Sequence, residues 1–500
     1  MTLLEQLPIL VVVVPLFVAP LLAMVASQGR LPWLIATLTS ALTFLIAIGL
    51  ITQVLQSGTI YYELGNWPVP FGIGLTIGPF SALMVLIISG ASLAALAAGG
   101  QSMDSEVGEQ HQSLLYSCWL LAMAGLIGIA VTGDAFNVFV FMEISSLASY
   151  VMVANGPNRR ALTASFTYLV TGTTGATFYL IGVGYLYMMT GTLNLADMAE
   201  RLADVSDTLP VLIAGGFLVL GLALKAALFP MHAWMPNAYQ FAPTPVAIFF
   251  AACSTKVALF VMLRFDFVVL LPNLGEQAYF LSSLLIPLCV AAFLVGSAVA
   301  MFERDLKRML GYSSVAQIGY IVLAISLASS AGITAAVVHF FNHALMKAAL
   351  FVAVAGIVLR FGSSSLDQLA GLGRRMPLTT LGFVIAGLSL IGVPLTAGFI
   401  SKWYLIQAVL EEPGLGILLT ILILTSSLMA VVYIWKVVET AYFKVPSNGS
   451  LDDVKRQEAP MPVLITLWVL VAANIWFGID PDLPLSLANM EAFDLMGGGQ

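Results

Sequence analysis

Seven ionisable side chains stand within long apolar stretches of the sequence, where a membrane is the expected surrounding: Glu143, Lys225, Lys256, His339, His343, Lys347 and Lys402. Each intramembrane charge costs about 2.5–3.5 kcal/mol on insertion scales. Carboxylates, amines and imidazoles retained at such a cost are typical of groups that take up and release protons. We therefore interpret the set as a hydrated proton path through the protein interior. Structural contacts between helices are the alternative.

Lys225 lies in the stretch Leu222–Pro236, which also holds a helix breaker, Pro230, five residues after the lysine. A proline inside a membrane helix frees backbone groups that need new partners. Glu143 lies in the middle of another apolar run, and small hydroxyl residues follow it. A Glu143–Lys225 contact that forms and breaks would change the proton affinity of both groups. We therefore interpret the pair as a switch that controls proton release. A fixed ion pair between two helices, or a lysine that reaches the membrane surface, is the alternative.

Two more lysines have polar or irregular neighbours. Lys256 follows a serine and a threonine, whose hydroxyl groups are suited to a proton relay. Its alternative role is to pack against a neighbouring helix and donate to a carbonyl. Lys402 follows Pro394 and Gly398, which interrupt an apolar run, and we interpret it as a terminal proton donor or acceptor. A helix-end lysine near the lipid headgroups is the alternative.

His339, His343 and Lys347 recur every four residues, which places all three on one face of a helix. Two imidazoles that titrate near neutral pH and one amine, in line, are typical of a proton wire. Histidines satisfied within the core are one alternative. A metal site is another, although no third carboxylate or cysteine ligand stands out.

Three further residues are accessory candidates. His232 follows Pro230, where it would either line the pathway or bond a carbonyl freed by the break. Lys436 and Glu439 are three residues apart near the end of an apolar run, and we predict that they form a pair at the membrane interface.

The composition requires a membrane protein. The 500 residues are 60% hydrophobic and only 9% charged, against about 25% charged in ordinary globular domains. Apolar runs of about 20 residues have the length of transmembrane helices, and their lack of two-residue alternation excludes a transmembrane barrel. We therefore predict an all-α polytopic membrane protein in contact with the lipid bilayer.

Several function classes find no support in the sequence. No basic cluster indicates a nucleic-acid partner, and Cys118, Cys253 and Cys289 lie in apolar runs without a CxxC pair. Walker loops, Rossmann glycine runs and haem-ligand patterns are missing. We accordingly predict no cofactor, no metal and no covalent chemistry in this chain.

Fourteen spans are predicted, and the first is interpreted as a retained helix rather than a signal peptide. The segment Ser57–Gly74 is predicted to be a surface loop, Asn194–Asp207 to hold a short interfacial helix, and the tail to be frayed. The approximate spans are 7–26, 33–53, 76–99, 114–132, 135–154, 162–189, 209–229, 244–265, 278–302, 309–328, 332–359, 377–400, 415–442 and 460–478.

Basic residues predict the orientation. Loops after odd-numbered spans carry twelve Lys and Arg residues, and loops after even-numbered spans carry two, Arg201 and Arg264. The positive-inside rule then places the odd-numbered loops in the cytoplasm and both termini outside. We predict a multi-pass protein of the cell inner (plasma) membrane.

The spans also suggest an internal repeat. We divide the chain into N-terminal helices (1–113), repeat one (114–265), repeat two (278–443) and a C-terminal part with span 14 (444–500). Each repeat has five spans, so the second would be inverted in the membrane. The fourth span of each repeat, span 7 or span 12, combines a break with one lysine. This pattern is typical of inverted-repeat transporters with discontinuous helices.

Several motifs together resemble the antiporter-like subunit family shared by respiratory complex I, membrane-bound hydrogenases and Mrp-type multisubunit cation/proton antiporters. The matching pieces lie between about residues 115 and 445, and the D-type subunits of Mrp antiporters are the most similar branch, through Thr190–Asp197 and the Thr-Lys pair of span 8. The motifs are Phe139–Glu143, Leu224–Pro230 with His232 and Trp234, Ala242–Pro245, Thr255–Lys256, Arg304–Tyr312, His343–Phe351 and Gly392–Lys402.

The resemblance implies a proton-translocating fold of fourteen helices in which the seven ionisable groups form the central polar axis. Two positions depart from that pattern. Thr167 precedes Tyr168 where many relatives have lysine, and Gly78–Ser81 holds no acid where many relatives have one. Within the chain itself, Gly311–Gly319 takes the place in repeat two that Glu143 has in repeat one and carries no acid, so the two repeats are not chemically equivalent.

The functional hypothesis is a proton-translocating subunit of a multisubunit Na⁺ (or other monovalent cation)/proton antiporter, with other membrane subunits as partners. A proton-pumping subunit of a redox-driven complex is the first alternative, and whether the chain belongs to an enzyme is left open on that ground. A stand-alone transporter of an organic solute and a purely structural scaffold are the others.

Overall fold

Apolar runs can cross a bilayer only if every backbone N–H and C=O is paired within the segment, so these runs must fold as helices. A computed structural model describes residues 3–24, 29–205, 209–445 and 456–496. Within those ranges thirteen helices are long and apolar enough to span a membrane, which confirms the polytopic all-α prediction. They are Leu4–Ala23, Leu31–Ser57, Pro79–Glu106, Glu109–Val131, Ala135–Ala154, Arg160–Thr190, Leu209–Ala226, Thr244–Leu274, Gln277–Phe302, Leu306–Ser326, Ser330–Phe361, Gly416–Tyr442 and Met461–Ile479.

The remaining predicted span, span 12, is formed by two shorter helices, Pro377–Ile391 and Ala397–Leu410. Span 7 is also discontinuous, because Leu209–Ala226 ends before Pro230 and the chain resumes as the helix Trp234–Phe241. Both predicted breaks are therefore present. The division into two repeats stays a prediction.

Span 8 departs from a regular α-helix in a way that the sequence did not reveal. It contains two π-helical segments, Phe250–Ser254 and Phe265–Leu270. Such segments widen a turn and are frequent at functional sites. The first one ends two residues before Lys256. Span 8 also continues to Leu274, beyond its predicted end near residue 265.

Span 11, Ser330–Phe361, is the central helix of the bundle. It packs against spans 3, 8, 10, 12 and 14 and against the C-terminal helix Asp482–Leu495. Nearly every side chain from Gly332 to Ile357 is buried. Burial on all sides removes the polar face that a surface helix would have, and it places the His339–Lys347 stripe in the protein interior.

Two connecting segments and the tail test the predictions made for them. The Asn194–Asp207 segment does contain a short helix, Leu195–Leu202, which the Asn194 side chain caps. The segment predicted as a surface loop is exposed over residues 65–71, but it also contributes to an antiparallel hairpin of β1, Ile60–Glu63, and β2, Gly74–Ile77, which the sequence did not predict.

The tail prediction was also wrong for its described part, because residues 482–495 form a helix that packs on spans 3 and 11. Its apolar side chains Leu487, Ala488 and Ala492 are buried, and this burial stabilises the docked helix. Residues 497–499, also predicted to be frayed, and most of the 444–460 connection lie outside the described residues.

Close contact between spans 6 and 7 holds the Lys225 segment in place. A methyl group on Gly221 would lie 2.6 Å from the Gly175 carbonyl oxygen and 2.7 Å from the Tyr179 nitrogen. Both are backbone atoms of span 6, so they cannot move aside as a side chain would. Only a hydrogen at this position allows the two helices to approach so closely.

We therefore expect Gly221→Ala to lower the stability of the protein by about 1–3 kcal/mol, the usual cost of overpacking. Gly216→Ala is the matched control, since a methyl group on Gly216 of the same helix meets no atom within 4 Å. Thermal unfolding of the solubilised protein should show a lower Tm for Gly221→Ala alone. Equal melting of the two variants would contradict this packing.

Candidate functional site

Glu143 and Lys225 form the ion pair that the sequence suggested. Lys225 Nζ lies 3.7 Å from Glu143 Oε1, and the two side chains are 7% and 26% exposed respectively. At this distance the charges attract, but Oε1 accepts no hydrogen bond. The ammonium group instead donates to Ser146 Oγ at 2.7 Å. Lys225 thus has a neutral partner in addition to the charged one.

The end of the first half of span 7 provides a favourable site for a cation. Lys225 is the penultimate residue of the helix Leu209–Ala226, whose last carbonyl groups carry the negative end of the helix dipole. One of these carbonyls, that of Leu224, accepts from Trp234 Nε1 at 3.1 Å. The second half of span 7 thereby satisfies part of the backbone freed by the break.

A small polar cavity connects Lys225 with span 8. Its volume is about 30 Å³, and its polar lining consists of Ser145, Ser146, Ser149, Tyr168, Lys225 and Ser254. This volume is large enough for a water molecule. Ser254 ends the π-helical segment and precedes Lys256 by two residues, so the cavity offers hydroxyl groups between the two lysines.

Lys256 is fully buried and donates to the carbonyl oxygen of Ala251 at 2.9 Å. Ala251 lies within the π-helical segment, where the altered turn leaves its carbonyl available to a side chain. Lys256 is also close enough to His339, His343 and Lys347 for their charges to interact. It therefore stands between the two halves of the predicted axis.

The three groups of span 11 are all buried, and each has a different environment. His339 Nδ1 shares a hydrogen bond with Ser401 Oγ at 2.8 Å, while neither ring nitrogen of His343 has a hydrogen-bond partner. The two imidazole rings are parallel, with their centroids 5.9 Å apart. Lys347 donates to the Leu310 carbonyl at 2.8 Å and also contacts Ser313 Oγ closely.

Lys402 lies at the break of span 12. Its ammonium group donates to the carbonyl oxygens of Leu390 and Ile391, at 3.2 and 2.8 Å, and to Ser427 Oγ at 2.9 Å. These carbonyls end the helix Pro377–Ile391. Lysine and break occur in opposite order in the two spans. Lys225 belongs to the last turn of its own half-helix, whereas Lys402 reaches the last carbonyls of the preceding half-helix, so both lie near the negative end of a half-helix but with different partners.

The accessory candidates lie apart from this axis or have other partners. The pair predicted between Lys436 and Glu439 is not formed, because Lys436 donates to the carbonyls of Met301 and Glu303. Glu439 lies 4.0 Å from Lys444 instead. His232 stacks against Phe229, its Nδ1 has no hydrogen-bond partner, and its ring lies close to the Pro230 backbone carbonyl at the break.

The serine hydroxyl groups that contact the lysines and His339 were not among the predicted site residues. Ser146, Ser313, Ser401 and Ser427 each contact one of the predicted ionisable groups. A serine one helical turn from a buried charge is the only signal available, and Ser146 alone gave it, three residues after Glu143. Thr167 is exposed and bonds its own helix, so it does not face the axis.

Among the described residues, no cluster of three or more His, Cys, Asp or Glu side chains has the geometry to hold a metal ion. Apart from the Glu143 carboxylate near Lys225, the oxygen atoms near the lysines belong to hydroxyl and carbonyl groups. This arrangement can hold ammonium groups, mostly by neutral acceptors, and pass protons between them.

Removal of the Ser146 hydroxyl tests whether the neutral partner matters. Ser146→Ala leaves the Lys225 ammonium with one fewer acceptor, a loss of about 1–3 kcal/mol, so we expect activity to fall about tenfold while assembly is retained. Ser89→Ala is the control, because Ser89 is buried and donates only to its own helix. Ion-driven pH changes in membrane vesicles measure the activity, and equal rates for the two variants would contradict a role for Ser146.

The chain is similar over most of its length to several known membrane proteins. The 41% identical NADH-quinone oxidoreductase subunit N of Desulforudis audaxviator aligns with 91% of this chain and 90% of its own length. The D-type subunit of the Na(+)/H(+) antiporter of Alkalihalophilus pseudofirmus is 31% identical, with 81% and 80% covered.

Two solved assemblies contain a similar chain. In the archaeal membrane-bound sulfane sulfur reductase it is 32% identical with a TM-score of 0.90, and 98% of each chain is covered. In the Mrp complex from Dietzia it is 25% identical with a TM-score of 0.89, covering 100% of this chain and 98% of that one. Residues 132–430 match the transmembrane family of NADH:quinone oxidoreductases and Mrp antiporters, and the chain belongs to that family.

Proposed function

We propose that the chain is the proton-translocating subunit of a multisubunit monovalent cation/proton antiporter, with Na⁺ as the coupled cation. The observation that carries this proposal is the series of buried lysines and histidines, each next to a hydroxyl, a carbonyl or another titratable group. Two relatives that are D-type subunits of Na(+)/H(+) antiporters and the chain of the Mrp complex support it.

The Glu143–Lys225 pair acts as the switch in this mechanism. While the carboxylate stays near Lys225, it stabilises the ammonium form. When the contact lengthens, the proton is held by Ser146 alone and is released more easily into the cavity that leads to Ser254. Lys256 accepts the proton next. The proton then moves through His343 and His339 to Lys402. Lys347, on the same face of span 11 as the histidines, also exchanges protons with this path.

The chain assembles with other membrane subunits, because its relatives are parts of multisubunit membrane complexes. Glu143 is the axis residue that reaches the lateral surface, with 26% of its side chain exposed. A carboxylate next to lipid is unfavourable, so a neighbouring subunit is expected to cover this side. The plasma membrane, cytoplasmic odd-numbered loops, outer termini and the two five-helix repeats are parts of the same proposal.

A redox-driven proton pump is the second candidate, and the 41% identical quinone oxidoreductase subunit favours it. In that case the same axis would move protons in response to chemistry in partner chains. Purification of the native complex separates the two functions. Iron–sulfur partners would support the pump, and small membrane subunits alone would support the antiporter.

Loss of either member of the switch should abolish antiport. In everted vesicles that contain the whole complex, we expect Lys225→Ala and Glu143→Ala to remove Na⁺-dependent collapse of the pH gradient, because a buried charge loses its partner and the path is interrupted. The fall should be at least about a hundredfold, the size typical of lost proton-transfer groups.

Lys444→Ala is the control, since Lys444 is about half exposed and lies at the end of span 13. Wild-type antiport in either switch variant would overturn the proposed mechanism and favour a structural scaffold. Solute transport by the isolated chain in liposomes would favour the stand-alone transporter.

A further inference from the structure

Among the described residues, two buried carboxylates lie outside the axis: Asp266 in span 8, and Glu491 on the C-terminal helix Asp482–Leu495. Glu491 is 8% exposed, and its Oε2 accepts a hydrogen bond from the Phe80 backbone N–H at 3.0 Å. Phe80 belongs to the first turn of span 3, which begins with Gly78-Pro-Phe-Ser and has no acid of its own. The C-terminal helix therefore brings a carboxylate to the start of span 3 from 411 residues away.

The charged groups near Glu491 come from span 8 and from the C-terminal helix itself. Span 8 contributes the partly buried Arg264, which donates to the Thr132 carbonyl at 2.8 Å and acts electrostatically on Glu491. The C-terminal helix itself contributes the exposed Asp494, one turn further on. Span 3 offers backbone N–H only, and the first two turns of span 11 contain no titratable side chain. Their Thr334 donates to Asn489.

These surroundings suit a group that exchanges protons. Burial raises the pKa of Glu491 to about 6, and the charge of Asp494 adds to this effect. The Phe80 N–H and Arg264 oppose the rise, because both favour the carboxylate. The side chain is thus largely ionised above about pH 6 and protonated below it.

Three phenylalanines separate Glu491 from the centre of the axis. The ring centroid of Phe80 lies 4.9 Å from that of Phe260 and 5.0 Å from that of Phe340, and all three side chains are fully buried. The Arg264 guanidinium lies 5.6 Å from the Phe260 ring centroid. Phe260 is one turn after Lys256 on span 8, so the aromatic cluster stands between that lysine and Glu491.

We propose that Glu491 exchanges protons between Lys256 and the solution on the side of the even-numbered loops, and that Phe80, Phe260 and Phe340 form the gate between them. The inference rests on the proposed function. In the outward step, the Lys256 ammonium gives one proton to water admitted past the gate and becomes a neutral amine. The Glu491 carboxylate takes up that proton and releases it to the solution beside Asp494.

A purely structural role for Glu491 would be to cap span 3, and Glu491→Gln separates the two roles. The glutamine amide oxygen still accepts from the Phe80 N–H, but the side chain no longer takes up a proton. The experiment measures the antiport rate per assembled complex in everted vesicles from about pH 5 to about pH 8. We expect Glu491→Gln to lower the antiport rate at least about tenfold. The wild-type rate should decline below about pH 6, and the rate of this variant should not.

Glu491→Asp should retain activity with a pH-dependent decline, and Glu411→Gln, an exposed carboxylate after span 12, should match the wild type. Asp494→Asn changes only an exposed position, and it should move the decline to lower pH because it removes a charge that raises the pKa of Glu491. A wild-type rate and pH profile for Glu491→Gln would overturn the inference, as would an unmoved decline in Asp494→Asn.

If Glu491→Gln and Glu491→Asp lower the antiport rate equally at every pH and leave the shape of the pH profile unchanged, Glu491 is a structural cap of span 3. That result would also overturn the inference. Lys225→Ala is measured alongside to separate the two proposals. An inactive Lys225→Ala with a fully active Glu491→Gln would overturn only the role of Glu491. An active Lys225→Ala would overturn the proposed function itself.

Discussion

The constraint on which the rest of the structure depends is the removal of lysine ammonium groups from water. An ammonium group has three N–H donors, and its burial is unfavourable unless oxygen atoms replace the lost water. The chain supplies these oxygens by interrupting its own helices. The break in span 12 presents two carbonyls to Lys402, and the π-helical segment of span 8 presents one to Lys256. Irregular backbone therefore occurs where a buried charge needs it.

The choice of partners also explains how the charges can remain mobile. Lys256, Lys347 and Lys402 are held by hydroxyl and carbonyl oxygens, so the loss of a proton leaves no opposite charge buried without a partner. Lys225 is different, because the Glu143 carboxylate lies nearby. The proton affinity of Lys225 thus depends on how close the Glu143 carboxylate lies. Lys256, Lys347 and Lys402 have neutral partners, so only the gain or loss of their own proton changes their charge.

Much of this site was predictable because charges stand out in an apolar sequence. Both helix breaks were predicted from residue type and spacing and are present in the structure. The seven ionisable residues were proposed on the same grounds, and the His339–Lys347 stripe follows from helical periodicity. Apart from Ser146, the serine partners could not be predicted, since serines are common in membrane helices and only packing decides which of them contact a buried lysine or histidine. The Lys436–Glu439 pair failed for a related reason: the carbonyls at the end of span 9 compete for the same ammonium group.

The sequence by itself determined that the chain crosses the membrane many times as helices, because its long apolar runs leave the backbone no other way to pair its polar groups. It also determined where charge and helix breaks coincide. Only the tertiary structure decided which groups meet across the bundle, as when Ser401 reaches His339 or Glu491 reaches the start of span 3. Such contacts join residues far apart in the chain, and their geometry depends on how whole helices pack rather than on any local pattern.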